Sequence, residues 1–318
     1  MNRRSFLKTT TLSAAAASLP VAATQAAHHK SKPLFKISLA QWSLNKHFFE
    51  RDGYSKLDNL DFAKTARSFG IDAIEYVNQM FKTKAKDQAY LKEMIKRADG
   101  EGVKSLLIMV DGEGLLGDPD ESKRNQTVEN HLKWLDAAKT LGCHSIRVNA
   151  GSKGSYKEQQ KLAADGLHKL SEAGDKRGIN VIVENHGGLS SNGKWLSGVM
   201  EMADHSRCGT LPDFGNFTIN RQTGEHYDIY QGMEELMPHA KAVSAKANNW
   251  AKDPNPNVSR GKHGNHEVVI DFKRCLEIVL KHGYHGYIGI EYEGSYQTPM
   301  QGVAMTKAVM DRLLVELA

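Results

Sequence analysis

Four carboxylates frame the chemistry available to this chain. Glu75, Glu184, Asp213 and Glu291 each stand at or near the carboxyl end of a short β-rich run, in Ala73–Asn78, Asn180–His186, Gly209–Phe214 and Tyr287–Tyr292. Side chains alternate along a strand, so Glu184 and His186 share one face of the fifth run. In the last run the isoleucines at 288 and 290 face one way and Glu291 faces the other. Anions gathered in one dry place repel strongly unless they are neutralised. A divalent cation held by oxygen ligands, with positions left open for a substrate, is the economical solution.

Such a cluster needs a scaffold that brings distant segments together. From Leu34 onward the sequence repeats one theme: a short apolar run, a loop, then a longer amphipathic stretch that commonly ends at glycine. Eight strand candidates are Phe35–Trp42, Ala73–Asn78, Lys104–Val110, Ser145–Ala150, Asn180–His186, Gly209–Phe214, Lys241–Lys246 and Tyr287–Tyr292. Helical patterns cover Leu60–Phe69, Gln88–Ala98, Val128–Leu141, Tyr156–Lys176, Trp195–Asp204, Ile229–Met237, Phe272–His282 and Val303–Leu317. Strict alternation means parallel strands joined by crossover helices, and eight units in residues 34–318 fit a single closed (β/α)8 TIM barrel of the α/β class, with no second domain. Ser38 and Trp42, and Arg147 and Asn149, then join the inward set. Polar residues thus collect late in their strands, at the carboxyl-terminal mouth where barrel enzymes keep their active sites.

Residues 1–27 read as a separate segment. Asn2-Arg3-Arg4-Ser5-Phe6-Leu7-Lys8, an alanine-rich stretch and small residues near Ala26 are expected to form a twin-arginine signal that exports the folded protein to the periplasm or beyond. Cleavage there removes three positive charges and no acidic residue, taking the formal charge from +5 to +2. No basic cluster large enough to track a phosphate backbone remains, which argues against a nucleic-acid substrate. No other apolar run is long enough for a stable membrane anchor. Cys143, Cys208 and Cys275 are odd in number and widely spaced, as expected of buried apolar residues rather than a disulfide framework.

Three segments carry a family resemblance: Val183-Glu184-Asn185-His186-Gly187-Gly188, Leu211-Pro212-Asp213-Phe214-Gly215-Asn216-Phe217, and Gly283 through Gly294. Together they resemble the sugar isomerase/epimerase family with the xylose-isomerase-like barrel, and the similarity follows the element order of the whole mature chain. The resemblance implies a divalent metal (manganese, zinc, magnesium or cobalt) bound by a glutamate after strand five, an aspartate at strand six, a histidine at strand seven and a glutamate at strand eight. Glu184, Asp213 and Glu291 match. Strand seven departs, since the family's histidine-x-lysine stands here as Ser244-Ala245-Lys246. A neutral hydroxyl is a poor replacement for imidazole, so His186 or a water is expected as the fourth ligand. His263 and His266 are weaker candidates, expected in a solvated loop.

The implied reaction is proton transfer beside a sugar carbonyl, with Glu184 and Glu291 trading the proton on opposite faces. Lys246 either assists or serves as a counter-charge. Asn149, Asn216 and Trp42 suit a sugar's hydroxyls and apolar face, with Glu75 as a further substrate contact. The partner is therefore a small carbohydrate, and a homo-oligomer is left open. Two alternatives use the same barrel: a lyase acting on 3-keto-glycosides, and a sugar-binding barrel without catalysis, the latter motivated by Ser244. A nuclease of the apurinic-site type lacks its metal-binding histidines and basic surface here.

Overall fold

The computed structural model describes residues 33–251, 254–264 and 266–318, so the expected signal segment lies outside the described residues. Eight strands form one parallel sheet: β1 Lys36–Ala40, β2 Ala73–Val77, β3 Lys104–Met109, β4 Ser145–Val148, β5 Asn180–Glu184, β6 Cys208–Leu211, β7 Val243–Ala247 and β8 Tyr287–Tyr292. Pairing runs β6-β5-β4-β3-β2-β1-β8-β7. The seam between β6 and β7 is bridged in parallel at Thr210 with Ala240 and at Asp213 with Ser244. The expected TIM barrel is the architecture found.

Period-two alternation sorts the strand residues. Val181 and Val183 of β5 and Ile288 and Ile290 of β8 are fully buried in the large apolar layer shared with the helices. Ile182 belongs instead to a smaller cluster with Ala40, Val77, Leu107, Met109 and Leu211, which fills the barrel. Gly289 lies between the two isoleucines of β8. A Cβ there would come within 2.5 Å of Glu75 Oε1, so the missing side chain makes room for a carboxylate inside the barrel.

The crossover helices are α1 Phe62–Ser68, α2 Gln88–Gly100, α3 Glu121–Leu141, α4 Tyr156–Asp175, α5 Gly193–Ala203, α6 Ile229–Leu236, α7 Phe272–Lys281 and α8 Pro299–Glu316. The starts of α2 to α8 are set by side chains that accept the first-turn N–H groups: Asp87, Asp120, Asn192, Asp228 and Asp271, with full capping boxes at Ser155/Glu158 and Thr298/Gln301. At the other end of α3, Gly142 takes φ 74°, a left-handed stop that favours glycine.

Two hairpins decorate the carboxyl-terminal side. Thr218–Asn220 pairs with Glu225–His226 after β6, and Val258–His263 pairs with His266–Asp271 after β7. The second corrects the expectation of a solvated loop: His266 sits in an antiparallel strand, its ring stacked on His226 at 3.9 Å between centroids.

Candidate active site

Glu184 is the last residue of β5, Glu291 is the fifth of β8, and Asp213 follows β6. All three are buried, and one oxygen from each lies within 4.8 Å of the others. Asn185 explains why β5 ends at Glu184 and how Asp213 is placed. Its side chain turns to the neighbouring loop, where Oδ1 accepts from Asp213 N at 2.7 Å and Nδ2 donates to Asp213 O at 3.0 Å. Asp213 Oδ1 then accepts from the N–H groups of Gly215 and Asn216 at 2.8 Å each, and Oδ2 accepts from the Ser244 hydroxyl at 2.7 Å.

Each of the two glutamates has its own cation. Arg147 Nε lies 2.9 Å from Glu184 Oε2, while its Nη1 bonds Asp111 at 2.8 Å. Lys246 Nζ lies 2.9 Å from Glu291 Oε1 and 3.1 Å from Glu293 Oε2. Burial works against the charge on Lys246, but Glu291, Glu293 and Asp213 outweigh it and hold the ammonium well above its ordinary range. Burial pushes Asp213 and Glu291 up, with Lys246 opposing in both cases. Glu293 is held down to about 2: burial opposes ionisation, but Lys246 and the Trp42 indole N–H, which donates to it, prevail.

Glu75 sits lower than expected. It lies in the middle of β2, paired with Ala40 and packed against Gly289, and accepts from the Ser38 hydroxyl at 2.7 Å. Burial pushes its carboxyl up to about 8 against that hydrogen bond, with Glu291 and Glu184 adding to the rise. At neutral pH it is a protonated floor beneath the other three. Asn216 is also turned inward, its amide donating to Glu184 Oε1 at 2.8 Å, and Asn149 donates to Asp111 at 2.7 Å.

His186 lies in the loop beyond β5 rather than on the strand, and it is outside the carboxylate cluster. Its Nδ1 is 3.2 Å from Asn149 Oδ1. The ring keeps contact with solvent, yet desolvation at the mouth, with the charges of Arg147 and Lys246, holds it down to about 4. The imidazole is therefore neutral at neutral pH, the form that can bind a metal.

Residues 63–313 match the xylose isomerase-like TIM-barrel family. The chain belongs to that family. No curated protein sequence matches it. Among solved structures, it is similar to the 3-keto-D-glucoside 4-epimerase of E. coli, with 15% identity, a TM-score of 0.65 and coverage of 87% of this chain and 99% of that one. A xylose isomerase-like TIM-barrel protein from Mycobacterium smegmatis in complex with magnesium gives 14%, 0.64, 89% and 98%. The D-psicose 3-epimerase of Clostridium cellulolyticum, solved with D-tagatose, gives 12%, 0.63, 88% and 98%.

The donor set of this xylose isomerase-like barrel fits a divalent ion. Oxygens bound to one ion at 2.0–2.6 Å stand roughly 3–5 Å apart, the spacing the three carboxylates already have. Among the described residues, Glu291 Oε2 is buried with no hydrogen-bond partner, while Glu184 Oε2 is met by the Arg147 ion pair at 2.9 Å. An orphaned anionic oxygen is costly unless a cation or donor serves it. The sequence pattern missed Asp111, Asn185 and Glu293, and gave Arg147 an inward direction but no partner. Their roles depend on which loops meet at the mouth.

Proposed function

We propose that the chain is a metal-dependent isomerase or epimerase that takes a proton from carbon beside a sugar carbonyl. The observation that carries this reading is the triad itself: three buried carboxylates within 4.8 Å at the barrel mouth, with Glu291 Oε2 left without a partner. Glu184, Asp213 and Glu291 would hold manganese, zinc, magnesium or cobalt, with His186 or water completing the set. A divalent ion at that place supplies Lewis acidity to a substrate oxygen.

The chain's own groups do the remaining work. Glu184 and Glu291 remove and return the proton from opposite sides of the reacting carbon, each beside a cation. Lys246 stands next to Glu291 and can donate a hydrogen bond to oxygen as charge gathers there. Asn216 and Ser244 orient Glu184 and Asp213. Trp42 and Glu293 form the outer wall, where a sugar ring would meet the indole.

A second reading is a lyase on 3-keto-glycosides. The same first step takes the proton at C2, the electron pair forms a C1–C2 double bond, and the C1–O bond breaks as the leaving oxygen takes a proton. The Lys246 ammonium, shared by Glu291 and Glu293, is the observation that favours it, because it places a donor beside the base. The similarity to a 3-keto-glucoside epimerase supports 3-keto-glucosides as the class to try first. Product analysis separates the readings: metal-loaded protein should give a C2 or C4 epimer, or an isomer, with no free aglycone. Released aglycone selects the lyase, and no conversion of 3-keto-glucosides or ketohexoses points to a binding-only barrel. We further propose export by the twin-arginine route, on the strength of Arg3 and Arg4 and the segment that follows them.

A further inference from the structure

A second cavity lies beside the mouth. It measures about 430 Å³ and is lined by Asn248, Gly261, Lys262, Ser295 and Tyr296, with Glu293 as a shared wall. The Glu293 carboxylate bonds Lys246, which in turn bonds Glu291, so one carboxylate and one ammonium stand between the cavity and the proposed base. Its size falls within the range of about 300–1,000 Å³ usual for small-molecule sites.

The cavity is built rather than incidental. Asn249 Oδ1 accepts from the backbone N–H groups of Ser295 and Tyr296 at 2.6 and 2.8 Å, fixing the loop after β8. Gln297 donates to Trp250 O at 2.8 Å and accepts from Trp250 N at 3.2 Å, tying the same loop to the end of β7. Asn248 N donates to the Ser259 hydroxyl at 2.7 Å, which anchors the hairpin. The Asn248 side chain is 5% exposed, and among the described residues its Nδ2 has no hydrogen-bond partner. With under 1 Å² of accessible surface, Nδ2 meets an oxygen acceptor in the cavity only when the Asn248 side chain rotates, and a buried amide donor left unsatisfied favours that rotation. Gly261 keeps that amide in place, since a Cβ there would lie 2.3 Å from Asn248 Cγ. At the rim the Tyr296 ring is 75% exposed.

An amide donor, a serine hydroxyl, charges of both signs and an exposed aromatic ring suit a ligand that combines hydroxyls with an apolar face. A second sugar ring has that character; a lone anion does not, because Glu293 and Glu267 also line the cavity. We propose that this cavity is a second sugar subsite, holding the ring attached to the sugar that reacts in the mouth. Resting on the sugar-carbonyl reading of the mouth, this makes the substrate a disaccharide-sized glycoside rather than a free monosaccharide.

Binding tests it apart from turnover. Titration calorimetry on the metal-loaded mature chain should show cellobiose binding at least about tenfold more tightly than methyl β-glucoside, or maltose likewise over methyl α-glucoside. Gly261→Val, which displaces the Asn248 amide, and Tyr296→Ala should each bring that ratio below about threefold. Tyr296→Ala alters an exposed ring, so its result stands whether or not Gly261→Val folds. Equal binding of disaccharide and methyl glycoside in both series, or a preference that survives Tyr296→Ala and a folded Gly261→Val, overturns the subsite. A preference abolished by these variants, in a protein that converts no keto-sugar, upholds the subsite and removes the proton-transfer reading instead.

Discussion

Ser244→Ala probes the position where the family resemblance implies a histidine and this sequence has a hydroxyl. The hydroxyl is fully buried and donates to Asp213 Oδ2 at 2.7 Å, while Oδ1 keeps its two backbone donors. Removing one partner of a buried hydrogen bond costs about 1–3 kcal/mol, so chelated Ser244→Ala protein should be less stable by that amount in urea unfolding. As a group that orients a ligand, Ser244 should affect metal affinity by about 10- to 100-fold without abolishing binding. Manganese titration of wild type, Ser244→Ala and Asp213→Ala separates orientation from ligation. Ser244→Ala should bind weakly and Asp213→Ala not at all. Complete loss of metal in Ser244→Ala, with unchanged stability of the chelated protein, would show that the hydroxyl is itself a ligand and refute the reasoning.

Three further outcomes are expected. The folded-state pKa of Glu75, about 8, lies above its ordinary 4.5, so its contribution favours the fold below that ordinary value and is lost as pH rises through 8. Chelated wild type should lose up to a few kcal/mol between about pH 5 and about pH 8 in urea unfolding, and Glu75→Gln, which stays neutral, should flatten that slope. Arg147→Leu strands Glu184 and Asp111, so the chelated variant should lose about 3–5 kcal/mol and regain much of it when manganese is added, as thermal unfolding will show. Arg3→Lys combined with Arg4→Lys should leave uncleaved protein in the cytoplasm on fractionation, whereas continued export would remove the twin-arginine reading.

The framework was legible because its signals are local. Tyr287–Tyr292 is a strand at the expected bounds, and α2 and α4 begin at the expected Gln88 and Tyr156. Helix α3 starts at Glu121 rather than Val128 because Asp120 caps two polar turns that carry no apolar rhythm. Asp213 and Glu291 were readable as inward carboxylates, but the depth of Glu75 was not, since it depends on the absent side chain of Gly289 on another strand. Strand alternation placed His186 beside Glu184. The Asn185 clamp ends the strand first, and a contact between neighbouring loops leaves no periodic trace in the sequence.

The central claim is proton abstraction by Glu184 and Glu291, and solvent deuterium exchange tests it most directly. Manganese-loaded protein in D2O should wash deuterium into the carbon beside the carbonyl of a 3-keto-glucoside or a ketohexose, followed by NMR. General acid–base groups contribute about 10²- to 10⁴-fold, so Glu184→Gln combined with Glu291→Gln should slow the exchange by at least about 100-fold in a protein that remains folded. No exchange above the buffer rate from wild type, or an undiminished rate in the double variant, would contradict the account.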